Sequence, residues 1–237
     1  MTENQDSRSH KISKALASHP RELNERGVDK KMRLLLLGGG GHARSCIEAI
    51  ESEGIWKIIG ILEEGLPNNH SILGYRILGR DREIERVKNE QQVDAVIITI
   101  GQIKSAEGRI RLYKELLHRG MRLATVTAST ARVSFHASIG LGTVVMHGAF
   151  VNAGSVVGAN CILNSHCLIE HDCQIEAHCH VSTKAVINGG VKLGKGSFIG
   201  SGTIVREGVS IGPGCIVGAG SLVLNDLPAG VTVKGNS

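Results

Sequence analysis

The chain has 237 residues, of which 41% are hydrophobic and 3% aromatic, and its formal net charge is +5. This length allows one or two domains, and the Lys and Arg residues form no stripe interleaved with aromatic side chains, so we expect no nucleic-acid partner. No apolar run approaches the roughly 20 residues that span a bilayer, and the polar N-terminus lacks the apolar segment of a signal peptide. We therefore expect a cytoplasmic protein without a membrane span.

Residues 1–31 are predicted to form an N-terminal extension, for which a short helix and disorder both stay open. An α/β domain is predicted over residues 32–129. Its strands cover 33–37, 56–62 and 95–100, and they alternate with helices over 42–53, 82–89 and 105–119. This alternation predicts a small parallel sheet, a half-Rossmann unit.

Four consecutive glycines at positions 38–41 follow the first strand and open the first helix. Backbone N–H groups at such a turn bind phosphate oxygens, and a tight turn for strand–helix packing is the alternative. The glycines exceed what packing needs, since each carries an entropic cost. Glu63 and Glu64 end the second strand, where they can accept hydrogen bonds from ribose, and Gly101 ends the third. Because the sheet lacks the second half that a dinucleotide spans, we favour a nucleotide-activated sugar as the ligand.

Aliphatic residues recur at strict six-residue intervals between positions 133 and 223, with none missing. This period predicts a parallel β-helix over residues 130–237, with three hexads in each triangular coil. The position two residues before each aliphatic residue also points inward, and small residues fill it. We expect the corners to need unusual backbone angles, which explains the glycines after the aliphatic residue. These are Gly140, Gly158, Gly194, Gly200, Gly212 and Gly218. The repeat ends at Pro228, and the abrupt end at Ser237 suggests that a tail is missing.

Five of the six cysteines occupy the small inward position, and Cys46 lies in a predicted helix. The five are Cys161, Cys167, Cys173, Cys179 and Cys215. Six cysteines often indicate a zinc site or a disulfide framework. Even spacing within one inward series instead favours free thiols that serve as small apolar fillers, so we expect no metal and a reducing compartment.

Five histidines lie within two coils, and none falls on the inward series. They are His147, His166, His171, His178 and His180. We expect them to point outward or to lie at corners. His171 precedes Asp172, and a neighbouring carboxylate can orient an imidazole and raise its basicity. Gly189 lies eighteen residues after His171, hence one coil above it, where its backbone N–H is accessible. A base beside an oxyanion donor is the minimum that acyl transfer needs.

Several segments together resemble the bacterial sugar O-/N-acyltransferases of the sialic-acid, bacillosamine and perosamine acetyltransferase type. They are the Gly-rich α/β unit, residues 73–79, 100–101 and 169–173, and the hexapeptide repeat, and the resemblance covers residues 32–235. It implies an N-terminal half-Rossmann domain followed by a left-handed parallel β-helix. It also implies a homotrimer that binds acetyl-CoA between adjacent β-helices.

The resemblance implies roles for individual residues. The general base of the family matches His171, the acid that tunes it matches Asp172, and the histidine that contacts the acetyl group matches His180. The backbone positions that receive the thioester and pantetheine arm match Gly189, Ser201 and Ala219. The nucleotide-sugar positions match Gly40, Gly41, His42, Glu63, Glu64 and Gly101, although the family often has aspartates in place of the two glutamates.

We therefore expect an acetyl-CoA-dependent N-acetyltransferase that acts on an amino group of a nucleotide-activated sugar. One alternative is an O-acetyltransferase acting on a sialic-acid-like sugar. A second is a zinc hydratase resembling γ-type carbonic anhydrase, suggested by His166 and His171, which are five residues apart. A third is a non-enzymatic nucleotide-binding module.

Overall fold

A computed structural model describes residues 31–67 and 70–235. The predicted N-terminal extension, apart from Lys31, lies outside these residues. No helix within them is long and apolar enough to cross a bilayer.

The first part is a five-stranded sheet with the order β3-β4-β2-β1-β5. Its elements are β1 (Met32–Leu37), α1 (Gly41–Glu53), β2 (Trp56–Leu62), β3 (Ser71–Ile72), β4 (Tyr75–Gly79), a 3₁₀ turn (Asp81–Glu83), α2 (Ile84–Gln91), β5 (Ala95–Ile98) and α3 (Glu107–His118). All neighbouring strands are parallel except β3, which is antiparallel to β4. The predicted strands and helices of this part are confirmed. The β3–β4 hairpin is not among the predictions because β3 has only two residues, too few for a periodic pattern.

The second part is a β-helix whose two-residue strands form three parallel sheets, here called faces 1, 2 and 3. Face 1 contains β6 (Val126–Thr127), β9 (Val144–Val145), β12 (Ile162–Leu163), β15 (His180–Val181), β18 (Phe198–Ile199), β21 (Ile216–Val217) and β23 (Thr232–Val233). Face 2 contains β7 (Arg132–Val133), β10 (Phe150–Val151), β13 (Leu168–Ile169), β16 (Val186–Ile187), β19 (Ile204–Val205) and β22 (Leu222–Val223). Face 3 contains β8 (Ser138–Ile139), β11 (Val156–Val157), β14 (Gln174–Ile175), β17 (Lys192–Leu193) and β20 (Ser210–Ile211). The predicted fold class, an α/β unit followed by a hexapeptide-repeat β-helix, is confirmed.

The interior of the β-helix is filled by the two inward series. The repeated aliphatic residues from Val145 to Val223 are all buried in one core, together with the cysteines of the repeat. Cys46 is buried in the core of the α/β part, and all six thiols are free. Branched aliphatic side chains suit short strands, and in a narrow interior they leave room only for small neighbours. The cysteines therefore serve as small fillers.

The glycines that follow the aliphatic residues have a different cause from the predicted one. None of the six has a positive φ, which instead occurs two residues later, for example at Gly142. A β-carbon on Gly158 would lie 2.5 Å from the backbone nitrogen of Ala177 in the next coil. The next coil approaches too closely for any side chain, so the prediction of unusual backbone angles at these positions is wrong.

The α/β part covers face 1 of the β-helix. Val126, Val144 and Met146 share one hydrophobic cluster with Leu34 and Ile47 of the sheet and α1. Strand β6 already pairs with β9, so face 1 begins before residue 129. The loops at the carboxyl end of the sheet are thereby placed against the outer surface of the β-helix.

Candidate active site

His171 and Asp172 lie in the turn between β13 and β14, at the corner between faces 2 and 3. Their side chains are 62% and 73% exposed, and Nδ1 of His171 lies 2.9 Å from Oδ2 of Asp172. A carboxylate accepts hydrogen bonds, so in the neutral imidazole Nδ1 carries the proton and Nε2 keeps its lone pair. The pair therefore presents an oriented imidazole at the surface.

Gly189 lies one coil above His171 at the same corner. A β-carbon on Gly189 would lie 2.7 Å from both Cε1 and Nε2 of the imidazole. The corresponding turn position carries a side chain in other coils, for example at Thr183 and Lys195, so the turn itself does not require glycine. Among the described residues, the Gly189 N–H donates to no protein acceptor. The predicted juxtaposition of a base and a bare amide is therefore present.

His180 lies on face 1 and is only 5% exposed, because the segment between β5 and α3 covers it. Its Nδ1 lies 2.6 Å from the carbonyl oxygen of Gln102, and its Nε2 lies 3.3 Å from Nδ2 of Asn164. Burial lowers the pKa of His180 to about 4; the hydrogen bond to Gln102 opposes this shift, and the charge of Arg109 adds a smaller lowering contribution. His178 is also buried. Both histidines lie outside the inward core of the β-helix, as predicted, but the α/β part covers them.

Ser201 and Ala219 lie at the corner between faces 1 and 2, after β18 and β21. The hydroxyl of Ser201 lies 2.9 Å from that of Ser182 in the coil below. His180 begins the strand that leads to this corner. The predicted residues His180, Ser201 and Ala219 therefore lie along one side of the β-helix, and their side chains are either small or buried. The corner of His171, Asp172 and Gly189 is on the opposite side of the triangular cross-section from face 1. One chain thus assembles two separate halves of the predicted site.

The glycine loop divides into a packed half and an open half. A β-carbon on Gly38 would lie 2.7 Å from the Ile100 side chain, and one on Gly39 would lie 2.8 Å from Ile72, so packing explains these two glycines. Gly40 and Gly41 have open space around them, and no side chain caps the N-terminus of α1. Free N–H groups at a helix N-terminus attract anions, so this half of the loop can hold a phosphate.

Glu63 and Glu64 lie at the predicted edge of the sheet, but both already accept backbone hydrogen bonds. Glu63 accepts from the N–H of Gly39 and, at 2.9 Å, from that of Gly65. Glu64 accepts from the N–H of Asp81 at 3.1 Å. Burial and the charges of the two glutamates raise the pKa of Asp81 to about 6. A ribose at this edge would have to share carboxylates that also hold the loop.

His42 connects the sheet edge to the β-helix. A β-carbon on Gly101 would contact Cβ of His42 at 3.4 Å, and the His42 and His180 ring centroids are 6.5 Å apart. Burial is the main cause that lowers the pKa of His42 to about 3, with smaller contributions from Arg109 and His180. Within the part of the chain that the structure describes, Nε2 of His42 is buried without a protein hydrogen-bond partner. The structure thus brings His42 and Gly101 close to His180.

Comparisons with known proteins agree with this architecture. Two family profiles match, the PglD N-terminal domain at residues 33–116 and the bacterial transferase hexapeptide (six repeats) at residues 190–225. A mutant of perosamine N-acetyltransferase from Caulobacter crescentus, solved in complex with CoA and GDP-perosamine, is 31% identical with a TM-score of 0.78, and the match covers 84% of this chain and 91% of that one. The chain belongs to the hexapeptide-repeat sugar acyltransferases.

A second solved structure of this acyltransferase family extends the comparison. The acetyltransferase domain of PglB from Neisseria gonorrhoeae, in complex with acetyl coenzyme A, is 28% identical with a TM-score of 0.78, over 86% of this chain and 96% of that one. WeeI from Acinetobacter baumannii, at 22% identity and a TM-score of 0.75, shows the shared fold alone. No curated protein matches the sequence. The predicted family is confirmed, and the protein is an acyltransferase.

The structure of the acyltransferase bears on the histidine spacing that suggested a zinc hydratase. His166 lies at the corner between faces 1 and 2, whereas His171 lies at the corner between faces 2 and 3. The described residues contain no group of three or more His, Cys, Asp or Glu residues that could hold a metal ion. The five-residue spacing therefore does not bring the two imidazoles together within one chain.

The acyltransferase also has polar residues at the junction of its two parts that sequence reasoning missed. They are Gln102, Arg109 and Asn160, all of which are buried. Arg109 falls in a predicted amphipathic helix and gives no signal of its own. Asn160 stands at a turn position with positive φ that glycine occupies in many other coils, and this difference is the one available signal.

Proposed function

We propose that the protein transfers the acetyl group of acetyl-CoA to an amino group on a nucleotide-linked sugar. The observation that carries this proposal is the close approach of the His171 imidazole to Gly189, where a β-carbon would lie 2.7 Å from the ring and where the backbone N–H has no acceptor among the described residues. The solved relative from Caulobacter crescentus, which binds CoA and GDP-perosamine, supports the choice of acceptor. The PglB domain with acetyl coenzyme A supports the choice of donor.

Each chemical role in the proposed transfer is assigned to a group of this chain. Acetyl-CoA supplies the acetyl group as a reactive thioester. The amine nitrogen attacks the thioester carbonyl carbon, and Nε2 of His171 takes its proton, because Nδ1 is held by Asp172. The C–S bond of the thioester then breaks, and CoA leaves as a thiolate that accepts this proton from the imidazolium. The Gly189 N–H can donate to the acyl oxygen as its negative charge develops.

The remaining site residues are assigned to two ligands, acetyl-CoA and the sugar nucleotide. We assign His180, Ser201 and Ala219 to acetyl-CoA, since small residues along the corner between faces 1 and 2 leave room for a narrow pantetheine arm. Gly40 and Gly41 hold the diphosphate of the sugar nucleotide at the N-terminus of α1. His42, Glu63, Glu64 and Gly101 line the route from that edge towards His180.

The two halves of the site lead us to propose a homotrimer. Outward-facing positions of face 2 carry an apolar ladder, formed by Phe150, Leu168, Val186, Ile204 and Leu222. Ile204 is 45% exposed and Leu222 is 60% exposed, and such contiguous patches mark interaction surfaces. Packing face 2 around a threefold axis would bring the His171 corner of one chain towards the Ser201 corner of the next.

The proposal is tested with the full chain and acetyl-CoA. UDP-, GDP- and CMP-linked amino sugars are offered as acceptors, alongside matched sugars in which a hydroxyl replaces the amine, and the released CoA thiol is measured. We expect turnover with at least one amino sugar and little with its hydroxyl counterpart. Turnover confined to hydroxyl acceptors would instead establish an O-acetyltransferase, and stabilisation by a nucleotide sugar without CoA release would indicate a binding module.

A further inference from the structure

Arg109 is a buried cation without a carboxylate partner. It projects from α3 and is 1% exposed, and within the described residues it takes part in no salt bridge. Its Nη1 donates to the carbonyl oxygens of Ile98 at 3.1 Å and Ile100 at 2.6 Å. Its Nη2 donates to Oδ1 of Asn160 at 2.7 Å. Because burying an unpaired charge is costly, a guanidinium that holds only neutral acceptors needs an explanation.

The segment that Arg109 holds also determines how His180 is hydrogen-bonded. Residues 98–102 run from the end of β5 to Gln102, whose carbonyl oxygen lies 2.6 Å from Nδ1 of His180. The side-chain amide of Gln102 donates to the carbonyl oxygen of His178 at 3.0 Å. Arg109 holds the start of this segment and the β-helix holds its end. A displacement at the Arg109 end is therefore expected to move the Gln102 carbonyl that contacts His180.

This geometry selects one tautomer of His180. A backbone carbonyl can only accept a hydrogen bond, so Nδ1 must carry the proton and Nε2 is left as an acceptor. Nδ2 of Asn164 lies beside Nε2, and Oδ1 of Asn164 accepts from the Ser165 N–H at 2.8 Å. The orientation of Asn164 is therefore consistent with the same tautomer.

We propose that Arg109 is a positioning residue that fixes the tautomer of His180 by clamping residues 98–102 onto Asn160. Since this rests on the proposed function, its consequence is that Nε2 of His180, which Nδ2 of Asn164 approaches to 3.3 Å, carries a lone pair and no proton at the site of the bound substrates. The guanidinium is suited to the task because its planar fork reaches two carbonyls and an amide at once. A lysine ammonium is a single point and cannot keep all three.

The first experiment reads the tautomer without any assay of activity. Nitrogen-15 chemical shifts of the His180 ring are recorded in the wild-type chain and in Arg109→Lys, with His180→Ala used to assign the signals. We expect the Nδ1–H form in the wild type and a mixture of tautomers in Arg109→Lys. Arg111→Lys, an exposed arginine of the same helix, is the matched control and should leave the spectrum unchanged.

A second variant covers the case in which Arg109→Lys fails to fold. Asn160→Ala removes the anchor on the β-helix side and leaves the buried charge in place, so the same change of tautomer is expected. An unchanged His180 spectrum in the variants that fold would overturn the proposal. Because this readout needs no turnover, it stands even if the protein acetylates no amino sugar.

The second experiment asks whether Arg109 acts on catalysis through His180. Turnover is compared for Arg109→Lys, His180→Ala and the double variant. We expect Arg109→Lys to lower kcat between about 10-fold and 100-fold, since small misplacements at a reacting centre are costly. In the His180→Ala background the same change should lower kcat by less than about twofold. Effects that multiply in the double variant would show a general structural role and refute the positioning role.

Discussion

The imidazole of His171 occupies the space that a side chain at residue 189 would need. A β-carbon there would lie 2.7 Å from Cε1 and Nε2 of the ring, although the backbone at Gly189 has no positive φ that would by itself demand glycine. The glycine thus serves the contact with His171 and not the turn. This relationship leads to the first two predictions.

Replacing His171 by alanine should lower kcat by roughly 10² to 10⁴ through loss of the general base. The side chain is largely exposed and makes its one described side-chain hydrogen bond with Asp172, so the melting temperature should hardly change. His118→Ala, at the exposed end of α3, is the control and should keep full turnover. Near-wild-type kcat in His171→Ala would remove this residue from the mechanism.

Gly189→Ala should reduce kcat because the new methyl group forces the imidazole out of its position. The expected loss is on the order of 10²-fold, the cost of a small displacement of a catalytic group. Gly108→Ala is the matched control: it lies in α3, and a β-carbon there would meet nothing within 4 Å. That control should be neutral or slightly stabilising. Equal kinetics for the two variants would argue against a tight contact at His171.

Variants of the two halves of the site should complement one another. His171 and His180 lie on opposite sides of one β-helix, so in the proposed trimer a complete site takes residues from two chains. His171→Ala and His180→Ala should each be impaired alone, whereas mixed trimers formed by co-expression should recover activity at about a quarter of the sites. No recovery, with mixed assembly verified by mass, would mean that each chain supplies both histidines to one site.

A charge on face 2 should disrupt the proposed trimer. Ile204→Arg places a cation in the apolar ladder, so native mass spectrometry should show a smaller species, and turnover should fall with it. Val156→Arg makes a similar change on face 3, where Val156 is 52% exposed, and should leave the mass unaltered. If Ile204→Arg retains the native mass of the unmodified protein, face 2 is not the interface.

Stability should decline as the pH falls from about 6.5 towards 4. Burial lowers the pKa values of His42, His178 and His180 to about 3, 4 and 4. As the pH falls, these imidazoles are therefore protonated in the unfolded state before they are protonated in the folded state, which lowers the free energy of unfolding. For His180 this loss reaches roughly 3 kcal/mol. Burial is the main cause that raises the pKa values of Glu53 and Asp81, to about 7 and about 6, and this offsets part of the loss because their protonation favours the folded state. The three histidine shifts together are larger than these two opposing shifts.

Thermal melts across this pH range test the prediction. Replacing His178 by Asn should flatten the decline, since one buried imidazole no longer resists protonation. His118→Asn, an exposed imidazole, should leave the slope as it is. A melting temperature that stays constant or rises on acidification would contradict the burial of neutral histidines at the junction.

Periodic and local features could be predicted from the sequence because their cause lies within a few residues or one repeat. The six-residue period determined the coil, its aliphatic core and its cysteine fillers. The eighteen-residue turn of the helix likewise placed Gly189 above His171, since vertical stacking follows directly from counting. The role of residues 38–41 was only half predictable, because Ile72 and Ile100, which pack against the first two glycines, are distant in sequence.

The sequence by itself thus determined the β-helix, the α/β unit and the pairing of His171 with Asp172 and Gly189. Only the tertiary structure decided which face the α/β unit covers, and hence that His180 is buried, that its Nδ1 meets Gln102, and that Arg109 holds the connecting segment. The physical reason is that contacts between the two parts depend on the docking of whole surfaces. No spacing along the chain records such docking, whereas the repeat records its own stacking in every coil.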